Sequence, residues 1–140
     1  MDEQVATGPT VPGSFWVVAV LGLLWNSFGA YLYTMANLGD ASVTAGAPPA
    51  MLNYIAHMPV WAHAGWAFGI WGSFAGSVLM VLRKRLAISA FLVSITGAVV
   101  SYAGQAMAHV LTPAEPAIIL TVIVFFWWYS SRSARLGYLR

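Results

Sequence analysis

Three histidines and two methionines have the clearest capacity for chemistry in this chain. His57, Met58 and His63 lie close together, and Met107 and His109 form a second pair. Imidazole and thioether groups suit a soft or borderline metal such as copper, and imidazole is an axial ligand of haem. His63 lies 20 residues before Arg83, and His109 lies 24 after Arg85. On two helices joined at those basic residues, the two depths differ by roughly one helical turn. A metal or haem site near one membrane face is therefore one expectation. The spacing matches no specific metal motif, and interfacial histidines commonly bond to headgroups or neighbours, so the reading without a cofactor takes precedence.

A second group is polar but neutral. Asn26, Ser94, Ser101, Tyr102 and Gln105 sit inside long apolar runs, with Trp61, Trp66 and Tyr33 as flat stacking surfaces nearby. An unpaired amide in hydrocarbon costs several kcal/mol, so Asn26 should point into the protein and bond to another helix. The same five groups have two readings: hydrogen bonds between helices, or the lining of a path for a neutral solute.

Carboxylates are absent from every apolar run, since Asp40 and Glu115 fall between them. No serine, histidine and acid come together at one depth, and proton-coupled transport relies on an intramembrane acid. With no cysteine, thiolate metal sites, disulfides and cysteine nucleophiles are excluded. A non-enzymatic function is expected.

These side chains need a frame. Hydrophobic residues make up 60% of the 140-residue chain and charged residues 7%, too few charges to cover a soluble globule. The chain reads as all-α: an integral membrane four-helix bundle with spans at 14–34, 60–82, 86–110 and 116–133. A flexible tail, 1–13, precedes the membrane domain of 14–135, and a basic tail, 136–140, follows it. Gly65, Gly69, Gly72 and Gly76 share one face of the second span, a packing seam to which Gly22 and Gly97 add on neighbouring spans. The fourth span lacks glycine and is expected at the periphery, extended to about residue 135 with its arginines snorkelling.

Between the first two spans, Met51, Leu52, Ile55 and Met58 recur at helical spacing, so a short interfacial helix is expected there. Residues 112–116, TPAEP, read as a turn. All six basic residues, Arg83, Lys84, Arg85, Arg132, Arg135 and Arg140, fall on one side of a four-span chain. That side is expected to be cytoplasmic, with both termini on it. Arg83, Lys84 and Arg85 also suit anionic lipid headgroups, whereas so short a run does not suit nucleic acid.

Trp25 and Asn26 followed by Gly29 and Tyr31, Tyr54 with Pro59 and Trp61, the run Leu82-Arg83-Lys84-Arg85 before Ala87, and the Ser94 region carry a resemblance. They are similar to a family of small four-helix bacterial inner-membrane proteins of no established function, loosely labelled sugar-transporter-like. The resemblance implies four spans in a bacterial inner membrane. The longer loop before the second span and the histidines depart from the family pattern.

The leading functional expectation is an accessory or assembly subunit, packing through its tryptophan-rich outer surfaces into a homo-oligomer or a larger membrane complex. Beside it stands a passive transporter or binder of a neutral small molecule, and third the metal or haem site.

Overall fold

The computed structural model describes residues 10–140, so most of the expected N-terminal tail lies outside the described residues. These residues form six helices and no strand: α1 (Gly13–Asn37), α2 (Ala41–Thr44), α3 (Pro49–His57), α4 (Val60–Val81), α5 (Leu86–Met107) and α6 (Ala114–Arg135). The four long ones are apolar and long enough to cross a bilayer, and the chain is a multi-pass membrane protein.

Each long helix ends in the same way. After the last helical turn one residue takes a left-handed conformation, and its own amide and that of the next residue bond back to the final carbonyls. Gly39 and Gly137 fill that position after α1 and α6, while Arg83 (φ 58°) and His109 (φ 59°) fill it after α4 and α5. The third span therefore stops at Met107 rather than at residue 110. α1 runs three residues past its expected end, to Asn37, whose side-chain amide bonds to the Tyr33 carbonyl. The expected 112–116 turn shortens because Ala114, Glu115 and Pro116 already belong to the first turn of α6, where a proline forfeits no intrahelical bond.

α4 and α5 form the most extensive pair, with α1 packed on α4 and α6 on α5. The seam is made by the absence of side chains. A methyl group built on Gly97 would lie 2.5 Å from the Gly69 nitrogen and 2.7 Å from the Gly65 oxygen. One on Gly72 would lie 3.0 Å from the Ser94 nitrogen. Backbone thus meets backbone at Gly65, Gly69, Gly72 and Gly97, and Ser94 adds a 2.5 Å hydrogen bond to the Gly69 carbonyl. Gly76 and Gly22 instead receive aromatic rings, from Phe91 and Phe126.

The bundle is solid at one end and hollow at the other. Towards the basic end, Phe15, Met80, Phe91 and Phe126 form a closed core, with Phe91 stacked on Phe126 at 5.6 Å. The chain end joins this core instead of trailing as a basic tail. Leu139 is buried, and the Arg140 backbone exchanges hydrogen bonds with Arg83 and Arg85. At the opposite end the loop holds two short helices rather than one. α2 is capped by the Asp40 carboxylate, which accepts from the Ser42 amide at 2.9 Å. α3 is seated by Tyr54, which reaches Gly104 and is the buried residue of its helix, while Leu52 faces outward.

Candidate functional site

Above the aromatic core, the four long helices enclose a cavity of about 250 Å³. α1 contributes Asn26 and Gly29 with the rings of Trp25 and Phe28; α4 contributes Trp66, Gly69, Ile70 and Ser73. From α5 come Ala98, Ser101, Tyr102 and Gln105, and from α6 Glu115, Ile119 and Ile123. Most of this wall is apolar or aromatic; its polar groups are hydroxyls and amides on α1, α4 and α5 and, at the exposed edge, the Glu115 carboxylate of α6.

Those polar groups differ in how far they are already used. Asn26 is buried near the middle of α1, and its side-chain nitrogen donates to Ser77 Oγ on α4 at 2.5 Å. The expected inter-helix partner therefore exists, and it is a serine one turn beyond the glycine seam. Ser73, one turn nearer the cavity, is 5% exposed, and its hydroxyl has no hydrogen-bond partner among the described residues. Ser101, Tyr102 and Gln105 likewise make no side-chain hydrogen bond within the described residues. Ser73 and Ser101 are buried while Tyr102 and Gln105 are half-buried. Buried polar groups in membrane helices are normally paired, so the open Ser73 hydroxyl makes the wall adhesive to a polar guest.

Gly29 is the second unusual feature. Every other glycine inside the long helices, beyond the first residue of α1, has a neighbour that a methyl group would crowd. At Gly29 the nearest atom to such a methyl is Ile70 Cδ1 at 3.9 Å. A mid-helix glycine weakens a helix by roughly 1 kcal/mol relative to alanine. No close helix approach explains it here; the open volume in front of it does.

Of the expected polar path, Asn26, Ser101, Tyr102, Gln105 and Trp66 line this one cavity. The other three lie elsewhere. Ser94 is consumed by the Gly69 carbonyl, Trp61 lies on the outer surface, and Tyr33 meets His63, its hydroxyl 3.1 Å from Nε2, while packing edge-on against Trp66 at 4.7 Å. Ser73, Gly29 and Glu115 also line the cavity, and none of them was expected on the polar path. Ser73 falls four residues after Gly69, on the glycine face already identified, and that spacing was the available signal.

The three histidines occupy different positions in the fold. Among the described residues no group of three or more His, Asp or Glu side chains is placed to hold a metal ion. His57 donates from Nδ1 to the Asn53 carbonyl of its own helix at 3.0 Å, His63 is engaged with Tyr33, and His109 is the left-handed residue closing α5. Met107 is largely exposed, and Met58 ends α3. Equal depth was the basis for the expected site; the His57 and His63 rings each have a hydrogen-bond partner nearby, and His109 closes α5 through its backbone. Arg83 and Arg85 are also partly engaged, donating to the Tyr138 and Ala134 carbonyls, while Lys84 is exposed.

Comparison of the chain with protein-family models, with curated proteins and with solved structures returns no match.

Proposed function

We propose that this multi-pass membrane protein is a non-catalytic binder of a small neutral molecule, held in the half of the bundle away from its arginines. The observation that carries this reading is the Ser73 hydroxyl: buried, unpaired, and on the wall of a cavity. Leaving such a group unsatisfied costs roughly 1–3 kcal/mol, and a guest offering an oxygen or an N–H removes that cost. Neutrality follows from the lining, which holds no lysine, arginine or histidine and a single carboxylate, Glu115, at its exposed edge.

Binding suits the architecture better than passage. Phe15, Phe91 and Phe126 fill the bundle below the cavity, so a solute that enters meets a packed floor. The accessory-subunit reading draws on outward aromatics such as Trp16, Phe68 and Trp128. Acyl chains and the headgroup boundary cover those rings as readily as a partner does, and a purely packing subunit has no need of a cavity. All six basic side chains gather at one end, which supports assigning that end to the cytoplasmic face of a bacterial inner membrane.

Purification in mild detergent, solvent extraction and mass spectrometry of the retained small molecules test the proposal, with wild type and Gly29→Leu compared side by side. Leucine at 29 projects into open volume, so the variant is expected to fold and to lose the compound that wild type retains. Identical small-molecule profiles from the two proteins would sink the reading.

A further inference from the structure

Resting on the binding reading above, we infer that the ligand is a membrane-borne amphiphile: a small, neutral, oxygen-bearing ring occupies the cavity while its apolar tail stays in the bilayer, having passed between α1 and α6. The first argument is where the cavity opens. α1 and α6 meet in the basic half, where Phe126 fills the space beside Gly22 and Phe15 stacks on Tyr129 at 6.4 Å. Farther along, the cavity wall on α1 includes Trp25 and Phe28, which are 48% and 59% exposed. Residues that line a cavity and also face outward mark its mouth. Phe28 stands nine residues before the end of α1, about 14 Å along the axis, so the mouth opens onto acyl chains and not onto water. Glu115, on the first turn of α6, marks the end of the mouth nearer the headgroups.

The second argument is size. About 250 Å³ falls below the roughly 300–1,000 Å³ of sites that enclose a drug-sized ligand whole. A lipid-sized molecule does not fit, whereas a single ring does. The third is chemistry. Trp25, Trp66 and Phe28 offer flat faces, and the hydroxyls of Ser73, Ser101 and Tyr102 are open to oxygen atoms on the guest. A wall of this kind selects a ring bearing hydroxyl or carbonyl groups and, with no lysine, arginine or histidine in it, gives an anionic headgroup no partner.

The test uses two photoreactive phenols carrying the same diazirine head, one with a long alkyl chain and one without, applied to the full chain in lipid nanodiscs. Because the chain has no cysteine, Phe28→Cys with Ile119→Cys can be bridged across the mouth by a bifunctional thiol reagent cleavable by reductant. The tailed phenol is expected to label peptides around Trp25 and Ser73 at least about tenfold more than the tailless one, since each buried methylene favours the bilayer by roughly 0.8 kcal/mol. Bridging should abolish that labelling, and cleavage of the bridge should restore it, which separates a blocked mouth from a misfolded protein. If the bridge leaves labelling by both probes intact, the cavity fills from water; binding then stands and lateral loading falls. If neither probe labels the cavity of the unbridged protein, the binding reading falls too.

Discussion

Gly97 and Gly29 look alike in the sequence, each a glycine deep in an apolar run, yet they meet opposite demands. Around Gly97 the neighbouring backbone leaves no room for a methyl group, with the Gly69 nitrogen 2.5 Å from where it would sit. Gly97→Ala is therefore expected to push α5 off α4 and cost about 2 kcal/mol, within the range of overpacked sites, visible as a lower thermal midpoint in detergent. Gly29→Ala should do the reverse, gaining up to about 1 kcal/mol from helix propensity with no clash. His109 supplies a third residue-level test. It holds a left-handed conformation that glycine adopts freely, is exposed, and makes no metal cluster. His109→Gly is expected to raise stability by about 1 kcal/mol and to leave small-molecule retention unchanged. Loss of stability would mean that the imidazole has work beyond closing α5.

At the scale of elements, the spans were legible because an uninterrupted apolar run of this length has few other uses, and the glycine spacing pointed to the face that packs. What lay beyond reach was pairing across helices. Asn26 announced its need for a partner, but Ser77 was one hydroxyl among several, and only the geometry of α1 against α4 selects it. Gly29 and Gly97 could not be told apart for the same reason: whether a missing side chain admits a neighbour or a void depends on the third helix. The loop shows the same limit. Apolar spacing in 51–58 predicted a helix, which exists, but the residue that seats it is Tyr54, whose polar hydroxyl hid its burial. Burial raises the Tyr54 phenol above its usual value of 10.0. The neutral form is the one that docks, so the stabilisation is present below pH 10 and is lost as pH rises through the elevated value. Backbone hydrogen exchange in α3 should accelerate in strongly alkaline solution. Tyr54→Phe should keep α3 docked and abolish that response, whereas an unchanged response would show that another group loosens the loop.

For the molecule as a whole, the gradient from a packed end to a hollow end ties stability to one half and the proposed ligand binding to the other. Leu139 closes the packed end from the last turn of chain, and Leu139→Ala is expected to cost about 3 kcal/mol while leaving the far cavity intact. The gradient has functional meaning only if the two ends lie on opposite sides of a membrane. An even number of crossings returns the chain end to the side on which α1 begins, and the hydrogen bonds from Arg140 to the 83–85 turn fix those two segments to one end. Residues 39–46 must then lie across the bilayer. Ala45 and Lys84 are both exposed, and the native chain offers no competing thiol. In intact cells a membrane-impermeant maleimide is expected to label Ala45→Cys and to reach Lys84→Cys only after permeabilisation, because the cluster of arginines around position 84 resists translocation. Equal labelling of both without permeabilisation would put the two ends on the same side. Four crossings could not then hold, and the cavity between α1 and α6 would no longer open into the hydrocarbon from which its ligand is proposed to come.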